Sequence, residues 1–238
     1  NGVPADLPAG VNGIAVRAGR SQIGKVLFEQ RSYPKVAGRI GADIAHVPYW
    51  GAPLTSPARL VVTIHDVIPL SLPEYIGGMT GRLYFSLVTA SAKGVGHILT
   101  DSEFSKAEII RHIGVPEGMV TAIPLAAGEA FHPKLGAEGD PAVRARYQLP
   151  EDGYTLYLGG FDLRKNLRAL LAAWTYAGPS VGEQYPLVIA GKAPAQWGTP
   201  RFPDIPAEIA ARPGLGEWIR WIGPVDETDK PALYRMAR

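Results

Sequence analysis

Short apolar runs rich in β-branched residues alternate along this chain with segments whose apolar positions recur at helical spacing. The runs at 14–17, 44–47, 60–64, 97–100, 120–124, 154–158, 187–190 and 218–222 predict strands. Their nearly continuous apolar character fits strands covered on both faces, as in a parallel sheet. The helical segments between several of them supply the crossovers that parallel strands require. Residues 102–113 predict a helix with Phe104, Ala107, Ile110 and Ile113 on one side. Asp101-Ser102 offers cap chemistry at its start, and Arg111-His112 closes it before Gly114 and Pro116. Later in the chain Leu167, Leu170, Leu171 and Trp174 fall at i, i+3, i+4 and i+7, one apolar face of a second clear helix.

The pattern breaks between Ala126 and Gly153, where Gly128, Pro133, Gly136, Gly139, Pro141 and Pro150 interrupt regular structure. A short helix at 141–147 is expected there, with Pro141 pre-set for its first turn. Dividing the chain near 135 gives an α/β protein of two parallel-sheet units facing a cleft, residues 1–135 and 136–238. Ligands of such sheets bind outside the carboxyl ends of the strands. Residues 69–81, rich in breakers and aromatics, read as a loop that shapes an acceptor pocket or as an ordinary surface connection. The chain opens at Asn1 on a Gly/Pro-rich segment and ends inside an expected helix at 228–238, the pattern of a piece of a longer protein.

Composition adds little direction: 46% hydrophobic and 19% charged residues describe a globular protein. A net charge of +2 is too weak a bias to suggest nucleic acid. The absence of cysteine removes disulfides, thiol catalysis and cysteine-bound metals, and fits a reducing cytoplasm. Charge is uneven, however. Arg17, Arg20, Lys25, Arg31, Lys35 and Arg39 face a lone Glu29, with Val26, Leu27 and Phe28 among them. Such a segment is either a solvated helix face or a surface for peripheral contact with an anionic membrane at its inner, cytoplasmic side.

The segment Thr155-Leu-Tyr-Leu-Gly-Gly-Phe-Asp-Leu-Arg-Lys-Asn-Leu-Arg168 carries the most chemistry. A strand stops at Gly159-Gly160, and Arg164-Lys165 follow at the mouth of a helix. Free backbone N–H groups, the helix dipole and two cations together suit a ligand with more than one negative charge, such as a diphosphate. The alternative is a solvated basic helix start. Two further strands end on Gly191 and Gly223, where the missing side chain lets a ligand approach the backbone. Neither a dinucleotide fingerprint nor a P-loop occurs at these strand ends. In the first half, strand 60–64 runs into His65-Asp66. His65 there is suited to donate a hydrogen bond to a substrate hydroxyl or a developing charge. Asp66 either sets its tautomer or closes the turn. His46, His97 and His112 read as packing or solvated residues, Ser102 and Ser105 as caps, and no histidine pair has metal-ligand spacing.

Several of these segments together resemble the retaining glycosyltransferases of family 4, which have the GT-B fold. They are Val62-Thr-Ile-His-Asp-Val-Ile-Pro69, Ile98-Leu-Thr-Asp-Ser-Glu-Phe-Ser-Lys106, 120–125 through Phe131-His-Pro133, Tyr157 to Asn166, and Ile222-Gly-Pro-Val225 with Leu233-Tyr234. The likeness runs in order from about residue 40 to 238. It implies an N-terminal acceptor-side Rossmann-like domain, followed by a linker and the first part of a nucleotide-sugar-binding domain. It also implies that Lys165 contacts the donor diphosphate with Arg164 as helper, that His65 and Asp66 serve the transferred sugar, and that Gly223 and Val225 lie against the base. Gly159, Gly160 and Gly191 complete the expected donor site. No metal or cofactor is implied; the nucleotide-diphosphate sugar is the donor substrate, and a glycan or lipid-linked molecule is the acceptor.

Two departures stand out. Gly160 occupies a position where many members carry arginine, and the family's paired-glutamate motif would follow Arg238. The resemblance therefore implies that these residues alone lack turnover. The expected function is a hexosyltransferase of mannosyltransferase type acting in envelope or exopolysaccharide synthesis. The alternatives are a sugar-nucleotide epimerase of the same fold and a non-catalytic nucleotide-sugar-binding protein.

Overall fold

In a computed structural model that describes residues 7–16, 19 and 21–238, the chain divides into two units at Leu125/Ala126. Each unit is a parallel sheet covered by helices. In the first unit β1 (Ile44–Val47), β2 (Arg59–Thr63), β3 (His97–Thr100) and β4 (Val120–Ala122) lie side by side in sequence order, all parallel. The second has β5 (Thr155–Leu158), β6 (Leu187–Ala190) and β7 (Ile219–Gly223), again parallel and in order. Seven of the expected strands are thus present, with ends shifted by a residue or two. The expected strand at 14–17 is not: residues 14–16 have no regular structure and Arg17 lies outside the described residues.

The helices of the first unit begin with one continuous stretch: α1 (Gln22–Leu27), a π-helical turn (Phe28–Ser32) and α2 (Tyr33–Arg39). Next, α3 (Ile68–Ser71), a 3-10 turn at Pro73–Tyr75 and α4 (Gly78–Lys93) occupy the segment expected to be a loop. Its prolines act as helix starters rather than breakers. Then comes α5 (Glu103–Ile113), which starts on the Ser102 hydroxyl, accepting from Ser105 N–H, and ends on Gly114 in the left-handed region. Its buried side is the expected one only in part. Ile113 is buried and Ile110 packs against the core, Ile109 joins them, and Phe104 is 76% exposed. In the second unit are α6 (Asp140–Tyr147), α7 (Leu167–Val181), α8 (Ile205–Ala210) and α9 (Lys230–Met236). The expected helix at 228–238 stops at Met236; Ala237 is extended and Arg238 N–H bonds to Tyr154 C=O at 2.9 Å.

The first core is a single cluster that includes Leu60, Val62, Ile64, Ile98, Ile109 and Ile113. The second unit's core is split by its central strand. Every residue of β6 is buried, and side chains alternate across the pleat. Leu187 and Ile189 join Phe161, Leu167, Leu171 and Trp174, whereas Val188 joins Val143, Tyr154 and Leu233 on the opposite face. The face expected for α7 is therefore the one that packs.

The change-over between units comes earlier than the expected 135 because α9 holds the preceding segment. The Arg235 guanidinium bonds to the carbonyls of His132, Leu135 and Gly136 and pairs with the Asp140 carboxylate. A second pair, Arg146 with the nearly buried Asp229 at 2.6 Å, ties α6 to the turn before α9, and the Tyr147 hydroxyl donates to the same carboxylate. Leu171, with no exposed surface, is central to the larger cluster. Leu171→Ala should lower the unfolding free energy by about 3 kcal/mol in urea denaturation, from lost burial plus the cavity left behind.

Candidate active site

Parallel pairing brings strand ends to a common edge, and in the second unit those ends are glycines. Leu158 of β5 is level with Ala190 of β6, and Ala190 with Gly223 of β7. Just past the strands, Gly159 N–H donates to Ala190 C=O at 3.1 Å and Gly191 N–H to Gly223 C=O at 2.8 Å. Gly191 has φ +155°, and a Cβ there would lie 2.1 Å from the Gly159 carbonyl oxygen, so this rim closes only around glycine. Gly223 adopts φ +75° with open space where a side chain would be. Gly159, Gly160, Gly191 and Gly223 are thus brought together along one edge.

Beyond Gly160 the chain turns over an aromatic base. Phe161 is buried, stacked on Trp221 at 4.8 Å and edge-on to Trp197 at 5.4 Å. Tyr157 donates its hydroxyl to Gly160 C=O, and Leu163 N–H is held by Arg201 C=O at 2.8 Å. Leu163–Lys165 form a 3-10 turn rather than the first turn of α7. Asn166, left-handed at φ 49°, separates that turn from α7, whose N-terminus no side chain caps among the described residues. The two cations therefore differ. Arg164 Nε lies 2.9 Å from Asp162 Oδ1, a carboxylate with little exposure, so its expected role as helper is shared with a fixed internal partner. Lys165 is exposed and pairs with no carboxylate among the described residues. Val225 is half-buried and packs against the cluster that holds Val143, Tyr154 and Leu233. A cavity of about 790 Å³ in the same unit, bounded by Phe131, Leu158 and Tyr234, includes none of the expected donor residues.

In the first unit, His65 follows β2 and Asp101 follows β3. The pairing of Thr63 with Leu99 carries these two residues to matching positions. His65 Nδ1 lies 2.8 Å from Asp101 Oδ2, and Nε2 lies 3.2 Å from the Pro48 carbonyl oxygen. Asp66 does not orient the imidazole; its carboxylate accepts from Ile68 N–H at 3.1 Å and closes the turn. Asp101, read from the sequence as cap chemistry, is the orienting group. Parallel strand register was the signal that would have found it.

With acceptors on both ring nitrogens, the doubly protonated imidazolium is favoured. The hydrogen bond to Asp101 raises the His65 pKa above its ordinary value, opposed by partial burial and aided by the Pro48 carbonyl. Such a group is suited to donate hydrogen bonds and, when protonated, to supply positive charge. The remaining histidines make local hydrogen bonds: exposed His46 reaches Thr63 Oγ1 at 2.9 Å, His97 reaches Thr121 Oγ1 at 2.8 Å, and His112 lies 3.2 Å from Glu108 Oε2.

Residues 4–126, just over half of the chain, match the sequence pattern of Glycosyltransferase Family 4. The chain belongs to that family. This family 4 chain is 34% identical over 185 residues to the O-antigen chain mannosyltransferase B of Escherichia coli, a match covering 76% of the chain and 45% of the relative. It spans less than half the length of the curated relatives it matches. Among solved structures it is similar to HepE of Anabaena in complex with UDP and glucose, at TM-score 0.62 and 15% identity over 85% of this chain and 53% of that one. A similar likeness holds to the sucrose-phosphate synthase of Thermosynechococcus elongatus, at TM-score 0.61 and 18% identity over 85% of this chain and 50% of that one. At these identities the likeness is one of fold, and the fold is the GT-B type.

Two outcomes test the geometry. Asp101→Asn should lower the His65 titration midpoint by about one pH unit in NMR spectra of histidine-labelled protein. Because the folded pKa of His65 is raised, its stabilising contribution is complete below about 6.5 and fades as pH rises through the folded value. His65→Ala should remove that part of the pH dependence of thermal unfolding.

Proposed function

We propose that the whole protein is a retaining glycosyltransferase that moves a sugar, mannosyl by kinship, from a nucleotide-diphosphate sugar to a glycan or lipid-linked acceptor in envelope polysaccharide synthesis. The observation that carries this reading is the glycine rim of the second unit, followed by the exposed Lys165, which pairs with no carboxylate among the described residues. It is supported by the relatedness to an O-antigen mannosyltransferase. A rim of backbone without side chains admits a diphosphate closely, and a cation beside an uncapped helix start matches its charge. Charge-assisted hydrogen bonds of about 1.5–3 kcal/mol each then stabilise the departing nucleoside diphosphate, which is the chief demand of the reaction.

On this reading the protein supplies the positive charge itself and no divalent ion is needed. Lys165 meets the diphosphate, Arg164 adds longer-range charge, and the His65 imidazolium, braced by Asp101, donates to the transferred sugar or the acceptor hydroxyl it approaches. Domain closure and positioning carry the rest of the rate, with little acid–base chemistry.

The protein is further read as working at the cytoplasmic face of a membrane. Ile23 (73% exposed) and Leu27 (49%) share the outer side of the first helical stretch with Arg31, Lys35 and Arg39. Arg17 and Arg20 lie outside the described residues. Met79 and Leu83 on α4 are likewise exposed beside Arg82. Apolar tips among cations suit a surface rich in anionic lipid. No helix among the described residues is long and apolar enough to cross a membrane.

Lys165→Ala should weaken every nucleoside diphosphate about tenfold in calorimetric titration, whatever its base, and an unchanged affinity would remove Lys165 from the site. A panel of radiolabelled nucleotide sugars offered to the intact polypeptide with a glycan acceptor tests the reaction: label should move to the acceptor, with turnover unaffected by EDTA. For the membrane surface, sedimentation with anionic vesicles should be lost on Lys35→Glu with Arg39→Glu and weaken with salt.

A further inference from the structure

The first helical stretch holds a carboxylate that none of the chemistry above uses. Glu29, the lone acid among the basic residues, is 1% exposed. The sequence suggested a solvated helix face or a membrane surface; instead this residue points inward. The Tyr84 hydroxyl on α4 reaches both of its oxygens, at 3.1 and 3.3 Å, and Tyr49 lies beside the same carboxylate. Lys25 Nζ, 3.7 Å from Oε1, lies over the Tyr84 ring at 4.6 Å and the Tyr49 ring at 5.6 Å. Burial raises the Glu29 pKa, and burial beside that carboxylate raises those of both tyrosines.

The cage is built around one short loop. Gln30, next to Glu29 in the π-helical turn, donates to Ala52 C=O at 3.1 Å and accepts from Leu54 N–H at 2.9 Å. Gly51 fits between them without a side chain: a Cβ there would lie 2.4 Å from the Tyr49 ring and 2.6 Å from Glu29 Oε1. The widened turn thus aims two successive polar side chains at the loop, a use typical of π-helical insertions. That loop continues directly from Pro48, whose carbonyl meets His65 Nε2. A buried carboxylate is costly to desolvate compared with apolar packing of the same shape, and its cationic neighbour Lys25 stays 46% exposed, so the presence of Glu29 there calls for another role.

We propose that Glu29, with Gln30, is a positioning residue for the His65 site: it anchors the Tyr49–Leu54 loop so that the Pro48 carbonyl stays against the His65 imidazole. The proposal rests on His65 being part of the transferase site, and it acts through the loop rather than by touching substrate. The groups facing His65 are Asp101 from the end of β3, Asp66 beside it in the chain, and the Pro48 carbonyl. Those facing Glu29 are Lys25, Tyr49 and Tyr84. Loss of the anchor removes one of the three acceptor influences on His65 and leaves both carboxylates in place.

The test is NMR titration of His65 in the full chain carrying Glu29→Met with Tyr84→Phe, which swaps the polar cage for apolar groups of similar size. The expected result is a thermal midpoint near that of the parent together with a His65 midpoint lowered by about 0.3–0.5 pH units. A folded double variant with an unmoved His65 titration overturns the proposal. Should the double variant not fold, Gln30→Ala leaves the carboxylate cage intact and releases only the loop; the same downward shift supports the proposal and none overturns it. Absence of sugar transfer by the intact enzyme would sink the transferase reading while leaving this titration unaffected, so the two failures are distinct.

Discussion

Parallel strand pairing is the constraint on which the rest depends. It sends every strand of a sheet in one direction, so the residues that follow each strand gather at one edge without any further instruction. The same rule gathers candidate residues within each unit taken by itself. In the second unit it aligns Gly159, Gly191 and Gly223 and lets their backbones bond across the rim. In the first it brings His65 and Asp101, thirty-six positions apart in sequence, to 2.8 Å. Neither arrangement needs a special loop; each is the continuation of a ladder.

Charge is handled differently in the two units. His65 is held by two acceptors that favour its cationic form, a fixed donor whose direction is set by strand register. Lys165 is left exposed, while its neighbour Arg164 is engaged by Asp162. An arginine fork held by a nearby carboxylate is pre-oriented but partly neutralised; a lysine on a 3-10 turn keeps its full charge for a ligand. Elsewhere the buried pair of Arg235 with Asp140 fastens the segment after Leu125 to the second unit, and the half-exposed Arg146 with Asp229 ties α6 to the turn before α9.

Where periodicity was read over a long segment with strong apolar residues, it matched the packing: Leu167, Leu171 and Trp174 are all buried. Where two stripes competed on a short helix, it matched only in part. Residues 103–113 offer one stripe through Phe104 and another through Ile109, sharing Ile113; the helix buries Ile109 and Ile113, keeps Ile110 against the core and leaves Phe104 exposed. Composition alone could not separate them, because a large exposed aromatic costs little when water or a partner remains available to it. The proline-rich 69–81 segment failed for a different reason. Proline breaks helices in their interior but begins them at the first turn, and only the capped position distinguishes the two.

Hydropathy, glycine placement and the order of the motifs were enough to determine two parallel α/β units, the strand ends where chemistry gathers, and the family to which the chain belongs. The units and strand ends follow from local rules of period and turn; the family follows from the resemblance of the motifs. What the folded chain alone decided is which side chains meet: that Asp101 rather than Asp66 braces His65, that Arg164 is engaged by Asp162, and that Glu29 lies in a tyrosine cage under the loop. Such contacts depend on strand register and helix rotation, which are set by the packing of whole elements against one another, and no residue's neighbours along the chain encode them.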